Sequence, residues 1–261
     1  MTGKRLSIFW FFLLGIWLVV ARVDRMHLEH LLEPSHFSLN PLQLTLGTDA
    51  FGRNLFHALG VAMQRTLFFA SITTVLAVGV GLIAGTGLGM SEGNTRFMGE
   101  RLLDFALAFP AILLALAIQA LVGTGWLTLG FAVSFGLFPS VVRFVSTRAR
   151  EVAVREYVAA ARALGGNHFS IFWRHYRPEL FSYLRLKAPS LFAQAILLEA
   201  TLSFLNLGVS PGVISWGSML GQAKDYLVEA PHIAWCVGIP LVLTLLSLQT
   251  GFDFRKRESV F

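Results

Sequence analysis

The sequence has few charged residues and almost no cysteine, and both shortages restrict what the protein can be. Charged residues make up 14% of its 261 positions, whereas soluble domains carry about 25%. Hydrophobic residues make up 55%, and the mean hydropathy is +0.64. This composition predicts an integral membrane protein. The single cysteine, Cys236, excludes an intramolecular disulfide and a metal cluster held by several cysteines.

Two catalytic signatures are missing as well. None of the four lysines completes the phosphate-binding pattern GxxxxGK[ST], so we predict that this chain does not hydrolyse ATP and holds no cofactor. No His-Glu-x-x-His motif occurs, and Cys236 has no evident base nearby, so we predict no catalytic residues. His27, His30 and His36 form the one histidine cluster, and its spacing fits a solvated face better than a metal site.

Six apolar stretches have about the length needed to cross a bilayer as helices. A span takes about 20 residues, because the hydrocarbon layer is about 30 Å thick. The stretches are 7–23, 66–90, 105–122, 126–142, 188–205 and 233–252. We therefore predict an all-α integral membrane protein with six transmembrane helices. The first stretch could instead be a secretory signal, but Ala21, Arg22 and Val23 do not form a small-x-small cleavage site.

The basic residues are distributed unevenly between the two sides of these spans. If the N-terminus is cytoplasmic, 16 of the 21 lysines and arginines fall in cytoplasmic segments, nine of them in the loop 143–187. Cytoplasmic loops of membrane proteins carry such an excess. The bias accounts for the net charge of +6 without a nucleic-acid partner. It predicts a multi-pass membrane protein, in contact with lipid, with both termini in the cytoplasm.

One carboxylate, Glu199, falls inside a predicted span. An unpaired charge at that depth costs about 2.5 to 3.5 kcal/mol on insertion scales, so Glu199 must face protein or water. Two roles remain open, which are a structural tie between helices or subunits and a position along a polar path. One function to consider for such a protein is ion-coupled secondary transport. It would need further ionisable groups at membrane depth or inverted repeats, and the sequence has neither.

Two predicted outside loops contain turn-forming motifs. In the first loop, 24–65, Asp49 can pair with Arg53 or cap the segment that follows. In the second loop, 206–231, Trp216 follows a stretch with glycine and proline. We consider two roles for this tryptophan, an anchor at the membrane surface or a contact with substrate or a partner.

The cytoplasmic loop 143–187 predicts two short helices joined by a glycine corner. Apolar residues recur at helical spacing at Val154, Tyr157, Val158 and Ala161. Gly165 and Gly166 are suited to end this helix, because glycine adopts the left-handed conformation of a helix terminus at little cost. Asn167 is suited to cap the next helix.

The second of the two helices predicted in the loop 143–187 carries an aromatic stripe. Its members are Phe169, Phe172, Trp173 and Tyr176, again at helical spacing. Pro178 is expected to limit how far this helix extends. A large apolar surface in water is unfavourable unless something covers it. The stripe therefore either packs against the protein's own helix ends or docks into a partner.

The same loop resembles the EAA loop of ABC-importer permeases. The family pattern is Glu-Ala-Ala, three residues, glycine, nine residues and Ile-x-Leu-Pro. The residues aligned with Glu-Ala-Ala, glycine and the final proline are Ala159, Ala160, Ala161, Gly165 and Pro178. Three positions depart from the pattern, namely Ala159 for glutamate, His175 for isoleucine and Arg177 for leucine.

Four ordered motifs extend the resemblance to dipeptide, oligopeptide and nickel permeases of the DppC/OppC type. The loop string EYVAAARALGGNHFSIFWRHYRP resembles their version of the EAA loop. LGTDAFGRN resembles their LGTD-x-x-GRD element, with Asn54 in place of aspartate. LDFALAFPAILLALAI resembles their third span, and LLEATLSFLNLGVSP with SWGSML resembles the fifth span and the next loop. The resemblance covers the chain from about Leu46 to its C-terminus.

The resemblance implies a half-transporter of the inner membrane with a type I ABC importer permease fold. Residues 1–45 would form the N-terminal tail, the first span and the start of the external loop, and 46–261 the permease domain. Its partners would be a second, homologous permease, two cytoplasmic ATPases that bind ATP and magnesium, and an extracytoplasmic solute-binding protein. The cargo would be di- or oligopeptides or a related small solute, with nickel or a metallophore as the alternative within the family.

The resemblance also assigns the contact with the ATPases to the loop. The residues it points to are Ala159, Ala160, Ala161, Gly165, Phe169, Phe172, Trp173 and Pro178. In this interpretation the Gly165 corner and the aromatic helix convert closure of the ATPases into a switch between outward-open and inward-open spans.

Overall fold

The fold was derived from a computed structural model that describes residue 46, residues 54–208 and residues 213–258. The secondary-structure elements in these residues are helices, so the prediction of an all-α protein is confirmed for this part of the chain. The predicted first span, 7–23, and the residues Asp49 and Arg53 lie outside the described residues.

The first half contains four helices. They are α1 Leu55–Met90, α2 Gly93–Ala108, α3 Ala111–Val122 and α4 Trp126–Ala153. Helix α1 begins where the Asn54 side chain accepts a hydrogen bond from the His57 backbone N–H, at 3.3 Å. Asparagine and aspartate cap helices about equally well, so the departure at Asn54 preserves this function.

The second half contains the two loop helices and the remaining long helices. They are α5 Glu156–Ala163, α6 His168–Ile171, a π-helical segment Phe172–Tyr176, α7 Arg177–Phe204, α8 Trp216–Ala223, a short 3-10 helix Lys224–Tyr226 and α9 Pro231–Glu258.

Three of the described helices are long and apolar enough to cross a membrane. They are α1, α4 and the segment Pro231–Gln249 of α9, and a fourth span results if α2 and α3 count as one broken crossing. The predicted span 188–205 falls in α7 up to Phe204, and α7 is not among the helices that are apolar enough by this measure. The described residues thus establish a helical membrane protein with three or four such spans.

The predicted third span, 105–122, is broken rather than continuous. Helices α2 and α3 meet at an angle of 83°. Phe109 has extended backbone angles, φ −89° and ψ 128°, and Pro110 precedes the first residue of α3. A proline disfavours the helical conformation in the residue before it, which explains why the first helix ends at this point. The stretch predicted as one span is therefore divided into two helices at Phe109 and Pro110.

Helices α1 and α4 pack closely because glycines of α1 face α4. The glycines are Gly81, Gly85 and Gly89, and they lie against Val141, Val145 and Ala149 of α4. Small residues at every fourth position let two helix backbones approach each other in a membrane. This pair forms the most extensive helix contact among the described residues.

Ion pairs connect the helix ends near the loop 143–187. Asp104 of α2 pairs with Arg143 of α4, and Glu100 of α2 pairs with Arg150 of α4. Arg148 of α4 contacts Glu179 of α7 at 2.5 Å. Helices α2 and α7 are thus both tied to the last turns of α4, directly before the segment 154–176 that contains the two loop helices.

A candidate coupling loop and a buried carboxylate

The first loop helix begins slightly later than its apolar pattern predicts. Val154 caps the end of α4 and is exposed, and α5 starts at Glu156. Val158 is fully buried and Ala161 packs against the core, whereas Tyr157 is exposed. One side of α5 therefore packs against the core of the protein, and the opposite side is exposed.

The glycine corner after α5 has the predicted conformation. Gly165 has φ +80°, a left-handed angle that other residues adopt only with strain. Gly166 approaches α5 so closely that a Cβ atom there would lie 2.7 Å from the Ala161 carbonyl oxygen. The Asn167 side chain accepts a hydrogen bond from the Ser170 backbone N–H at 2.7 Å, as expected of a cap. The corner is confirmed in its main features.

The chain does not leave the helix at Pro178, and this expectation was wrong. Helix α6, the π segment and α7 follow one another without a break. The Arg177 backbone N–H donates to the Phe172 carbonyl oxygen, five residues earlier. Proline disrupts an ordinary helical turn because it lacks an N–H and its ring crowds the preceding turn. The wider π turn, placed immediately before Pro178, lets the helix continue.

The aromatic stripe divides into a buried half and an exposed half. Tyr176 is fully buried, and Phe172 packs partly against the core. Phe169 and Trp173 keep 71% and 46% of their surface exposed. Internal packing therefore explains the first two aromatics, while the other two present an apolar surface away from the protein.

Tyr176 fastens the stripe to the loop. Its hydroxyl oxygen accepts a hydrogen bond from the Arg162 guanidinium at 3.4 Å. Burial raises the pKa of the Tyr176 phenol above its usual value, and the nearby Arg162 acts in the opposite direction. The phenol is therefore neutral at physiological pH and packs as an aromatic side chain.

Arg177 stacks on the exposed aromatics. Its guanidinium carbon lies 4.5 Å from the ring centre of Trp173 and 5.9 Å from that of Phe181. The ring centres of Phe169 and Trp173 are 5.9 Å apart. We call these four residues the aromatic patch. The arginine at a position where the EAA pattern has leucine thus gives the patch a positive charge.

The residues aligned with Glu-Ala-Ala, glycine and proline of the EAA pattern lie mostly at the protein surface. Ala159, Ala160, Gly165 and Pro178 are exposed, and Ala161 is half-buried. The glycine corner, one face of α5 and the aromatic patch are therefore all exposed in this region of the protein. The sequence alone did not distinguish Phe169 and Trp173 from Phe172 and Tyr176, because all four share one helical spacing.

Glu199 is buried in a network of hydroxyl groups. Its side chain is 1% exposed. The Ser203 hydroxyl donates to the carboxylate at 2.8 Å and the Thr66 hydroxyl donates at 3.3 Å. Ser215 is a further hydrogen-bond partner of the carboxylate. Glu199 thus joins α7 to α1 and to the residue that caps α8, which fits the structural role among the two considered.

Trp216 lies inside the protein, contrary to both roles considered for it. Its side chain is fully buried, and its backbone N–H donates to the Thr66 hydroxyl at 3.2 Å. Ser215 and Ser218 form a reciprocal capping box that begins α8. In this structure Trp216 is therefore neither a surface anchor nor exposed to a ligand.

Two glycines set α8 directly on α7. A Cβ atom on Gly217 would collide with the backbone of Ala200, and one on Gly221 would lie 2.9 Å from the Phe204 carbonyl oxygen. Sequence reasoning missed this contact and the part played by Thr66. The four-residue spacing of the two glycines within SWGSMLG is the signal that predicts such packing.

An apolar groove of 610 Å³ runs between α1 and α4. It contains the hydroxyl groups of Thr73 and Ser134, which donate to backbone carbonyl oxygens at 3.0 Å and 3.3 Å. None of the described residues that line it is charged. The groove therefore offers no partner for the charged ends of a peptide, although it suits an apolar occupant.

The comparison with protein families identifies the family of this chain. Residues 77–258 match the family described as binding-protein-dependent transport system inner membrane component. The chain belongs to this permease family. The match includes α5, the glycine corner and the aromatic patch, and membership removes the ion-coupled secondary transporter from consideration.

Curated relatives of this family cover most of the chain. The glutathione transport system permease protein GsiD of Pectobacterium atrosepticum is 33% identical over 77% of this chain and 67% of its own length. The di/tripeptide transport system permease protein DppC of Pseudomonas aeruginosa is 32% identical, with coverages of 84% and 73%. The peptide transport system permease protein SapC of Escherichia coli is 31% identical, with coverages of 94% and 83%.

A solved structure shares the fold. The MetNI methionine ABC transporter, in inward-facing conformations, contains a chain that superposes with a TM-score of 0.63. The alignment covers 76% of this chain and 94% of the other, at 18% identity. The predicted fold, that of an importer permease, is thus confirmed. The described helices do not establish all six predicted spans.

Proposed function

We propose that this permease carries peptides or peptide-like solutes across the inner membrane as one subunit of an ABC importer. The observation that carries this proposal is the similarity to three peptide and glutathione permeases over 77% to 94% of the chain. Specificity for a particular peptide class is left to the solute-binding protein that delivers the cargo. Uptake of labelled dipeptide, oligopeptide and glutathione by cells with and without the gene tests the proposal, and unchanged uptake of all three would overturn it.

The proposed assembly contains five polypeptides. A second, homologous permease pairs with this one to enclose the path, two cytoplasmic ATPases bind ATP and magnesium, and an extracytoplasmic protein supplies the solute. This chain has no catalytic role in that arrangement. Purification of the intact complex and mass spectrometry of its subunits test the composition. A chain that transports solute by itself would contradict it.

We also propose the six-span topology with both termini in the cytoplasm. The excess of arginine in the loop 143–187 supports this orientation. Reporter domains fused after Arg150 should then read cytoplasmic, and those fused after Asn40 or Gly212 should read external. An external signal after Arg150 would reject the topology.

The coupling surface is proposed to consist of the Gly165 corner and the aromatic patch. Phe169 and Trp173 are exposed, adjacent and apolar. Docking into a groove of a partner would remove this apolar surface from water, which is favourable. Arg177 adds a positive charge at the edge of the patch, where an acidic residue of the ATPase can pair with it. Tyr176, in the same helical stretch, is buried and anchors this surface to the core.

Alanine at both Phe169 and Trp173 tests this surface. The double variant should insert and fold normally but should lose most capture of the ATPases and most ATP-driven uptake, because exposed aromatic anchors carry much of an interface's affinity. A matched control replaces Phe131 and Phe135, a stacked and exposed pair in α4, by alanine. Co-purified ATPase and uptake are measured for both. Wild-type values for the Phe169/Trp173 variant would place the coupling surface elsewhere.

A further inference from the structure

Helix α2 is amphipathic in an unusual sense, because its charged side faces the protein. Asp104 and Glu100 reach Arg143 and Arg150 of α4, and Arg96 donates to Glu100 at 3.0 Å. Leu103, on the same side, is buried. The carboxylates of α2 are therefore neutralised by arginines of the neighbouring helix.

The opposite side of α2 is apolar and exposed. Its members are Phe97, Met98, Leu102 and Phe105, each more than half exposed, and Leu102 reaches 70%. The partly exposed Phe109 extends this surface just beyond the helix. We call these five residues the α2 face. A surface of this kind is uncommon on a helix that remains in water.

A cation lies within the α2 face. Arg101 is exposed and its guanidinium carbon lies 5.0 Å from the ring centre of Phe97. No carboxylate pairs with Arg101 among the residues that the structure describes. The face therefore combines an apolar surface with an uncompensated positive charge, which suits a layer of acyl chains below anionic headgroups.

The connections of α2 keep it near the bilayer surface. Helix α1 is long and apolar enough to span the membrane and ends at Met90, three residues before α2 begins. At its other end α2 turns by 83° into the apolar helix α3, which packs along the spanning helix α4. With both ends joined to membrane helices by such short links, α2 cannot move far into the water.

We propose that α2 lies on the bilayer surface, with its apolar face inserted among acyl chains and Arg101 bound to the phosphate of an anionic phospholipid. The charge complementarity of Arg101 and the position of α2 between two membrane helices favour lipid as the occupant. This proposal is independent of the transported solute and of the ATPase contact.

A fluorophore at position 102 reports what covers the α2 face. Leu102→Cys is labelled with bimane in a Cys236→Ala background, in the full chain together with the subunits that co-purify with it. The sample is reconstituted in phosphatidylcholine vesicles that contain either brominated phosphatidylglycerol or brominated phosphatidylcholine. A second label at Leu164, an exposed residue beside the Gly165 corner, is the control for a position outside the bilayer.

Bromolipids should quench the label at 102 and leave the label at 164 unaffected. Brominated phosphatidylglycerol should be effective at about fivefold lower content than the phosphatidylcholine, because one arginine near an anionic surface contributes about 1 kcal/mol. Arg101→Gln should remove this preference, and Arg101→Lys should keep most of it. Aqueous iodide should have little effect at 102.

Three results would overturn the proposal. Equal quenching by both lipids, with no effect of Arg101→Gln, would mean that the face inserts without binding anionic lipid. Quenching by iodide would place the face in water. Protection from both bromolipids and iodide would mean that protein, such as the second permease, covers it.

Discussion

Gly85 of α1 lies directly against Val145 of α4. A Cβ atom on Gly85 would come 2.6 Å from the Cβ of Val145 and 2.9 Å from the carbonyl oxygen of Val142. No real side chain fits at that distance, so the separation of the two helices depends on this glycine. Gly81 and Gly89 are equally close to α4, one turn away on each side.

Gly85→Ala should destabilise the permease by about 1 to 3 kcal/mol, because the added methyl group forces α1 away from α4. Gly79 and Gly87 lie on the same helix, and a Cβ atom at either position has nothing within 4 Å. Gly79→Ala and Gly87→Ala are therefore matched controls that should leave stability unchanged or slightly improved. Thermal unfolding in detergent measures all three. Similar unfolding temperatures for Gly85→Ala and the controls would contradict close packing here.

Glu199→Gln should be tolerated better than Glu199→Leu. The amide oxygen still accepts a hydrogen bond from one of the two hydroxyl groups, Ser203 or Thr66, and the amide NH2 can donate to the other. Leucine leaves both buried hydroxyl groups without a partner, at a cost of about 1 to 3 kcal/mol for each group. Gln194→Leu, at an exposed position of the same helix, controls for the effect of a leucine on insertion. Expression and thermal stability are the measurements. If the leucine variant matches the glutamine variant in both, the hydroxyl network contributes nothing to stability.

Gly165→Ala should weaken the loop corner through backbone strain alone. Its φ of +80° costs an L-residue about 1 to 2 kcal/mol, and a Cβ atom there would meet nothing within 4 Å. Gly165→Asn should lose less, since asparagine adopts this conformation more readily, and Gly165→Val should lose more. Hydrogen exchange of the loop amides measures the loss. An order other than Asn, Ala, Val would show that strain is not the cause.

Tyr176→Phe should change little, and Tyr176→Ala should destabilise by about 3 to 5 kcal/mol, as is typical of truncating a buried aromatic residue. The hydroxyl contributes one long hydrogen bond with Arg162, while the ring fills the space behind the aromatic patch. Limited proteolysis of the loop and ATPase capture should both follow this order. A phenylalanine variant as damaged as the alanine variant would assign the main role to the hydroxyl instead.

Local patterns were sufficient for much of the fold. Long apolar runs predicted the spans now seen in α1, α4 and α9, because the length of a run and the thickness of a bilayer determine a crossing without reference to distant residues. The corner at Gly165 and the cap at Asn167 were also predictable, since their chemistry acts over a few neighbouring residues.

Other features depend on partners that are distant in sequence. The Thr66 hydroxyl and Glu199 are 133 positions apart, and no pattern in one sequence reveals that they meet. The burial of Trp216 follows from the way α8 packs on α7. Two prolines act differently, since Pro110 accompanies a break between α2 and α3 while Pro178 is accommodated by a π turn. Whether a helix resumes after a proline depends on tertiary packing.

The π turn before Pro178 has a structural consequence. Because it prevents a break, one continuous helical rod runs from the exposed Trp173 to the buried Glu199. At a rise of 1.5 Å per residue, these two residues are about 39 Å apart along its axis. Glu199 contacts Thr66 of α1 near the far end of this helical path. The exposed aromatic surface and the buried hydroxyl network therefore lie on one unbroken run of helical backbone.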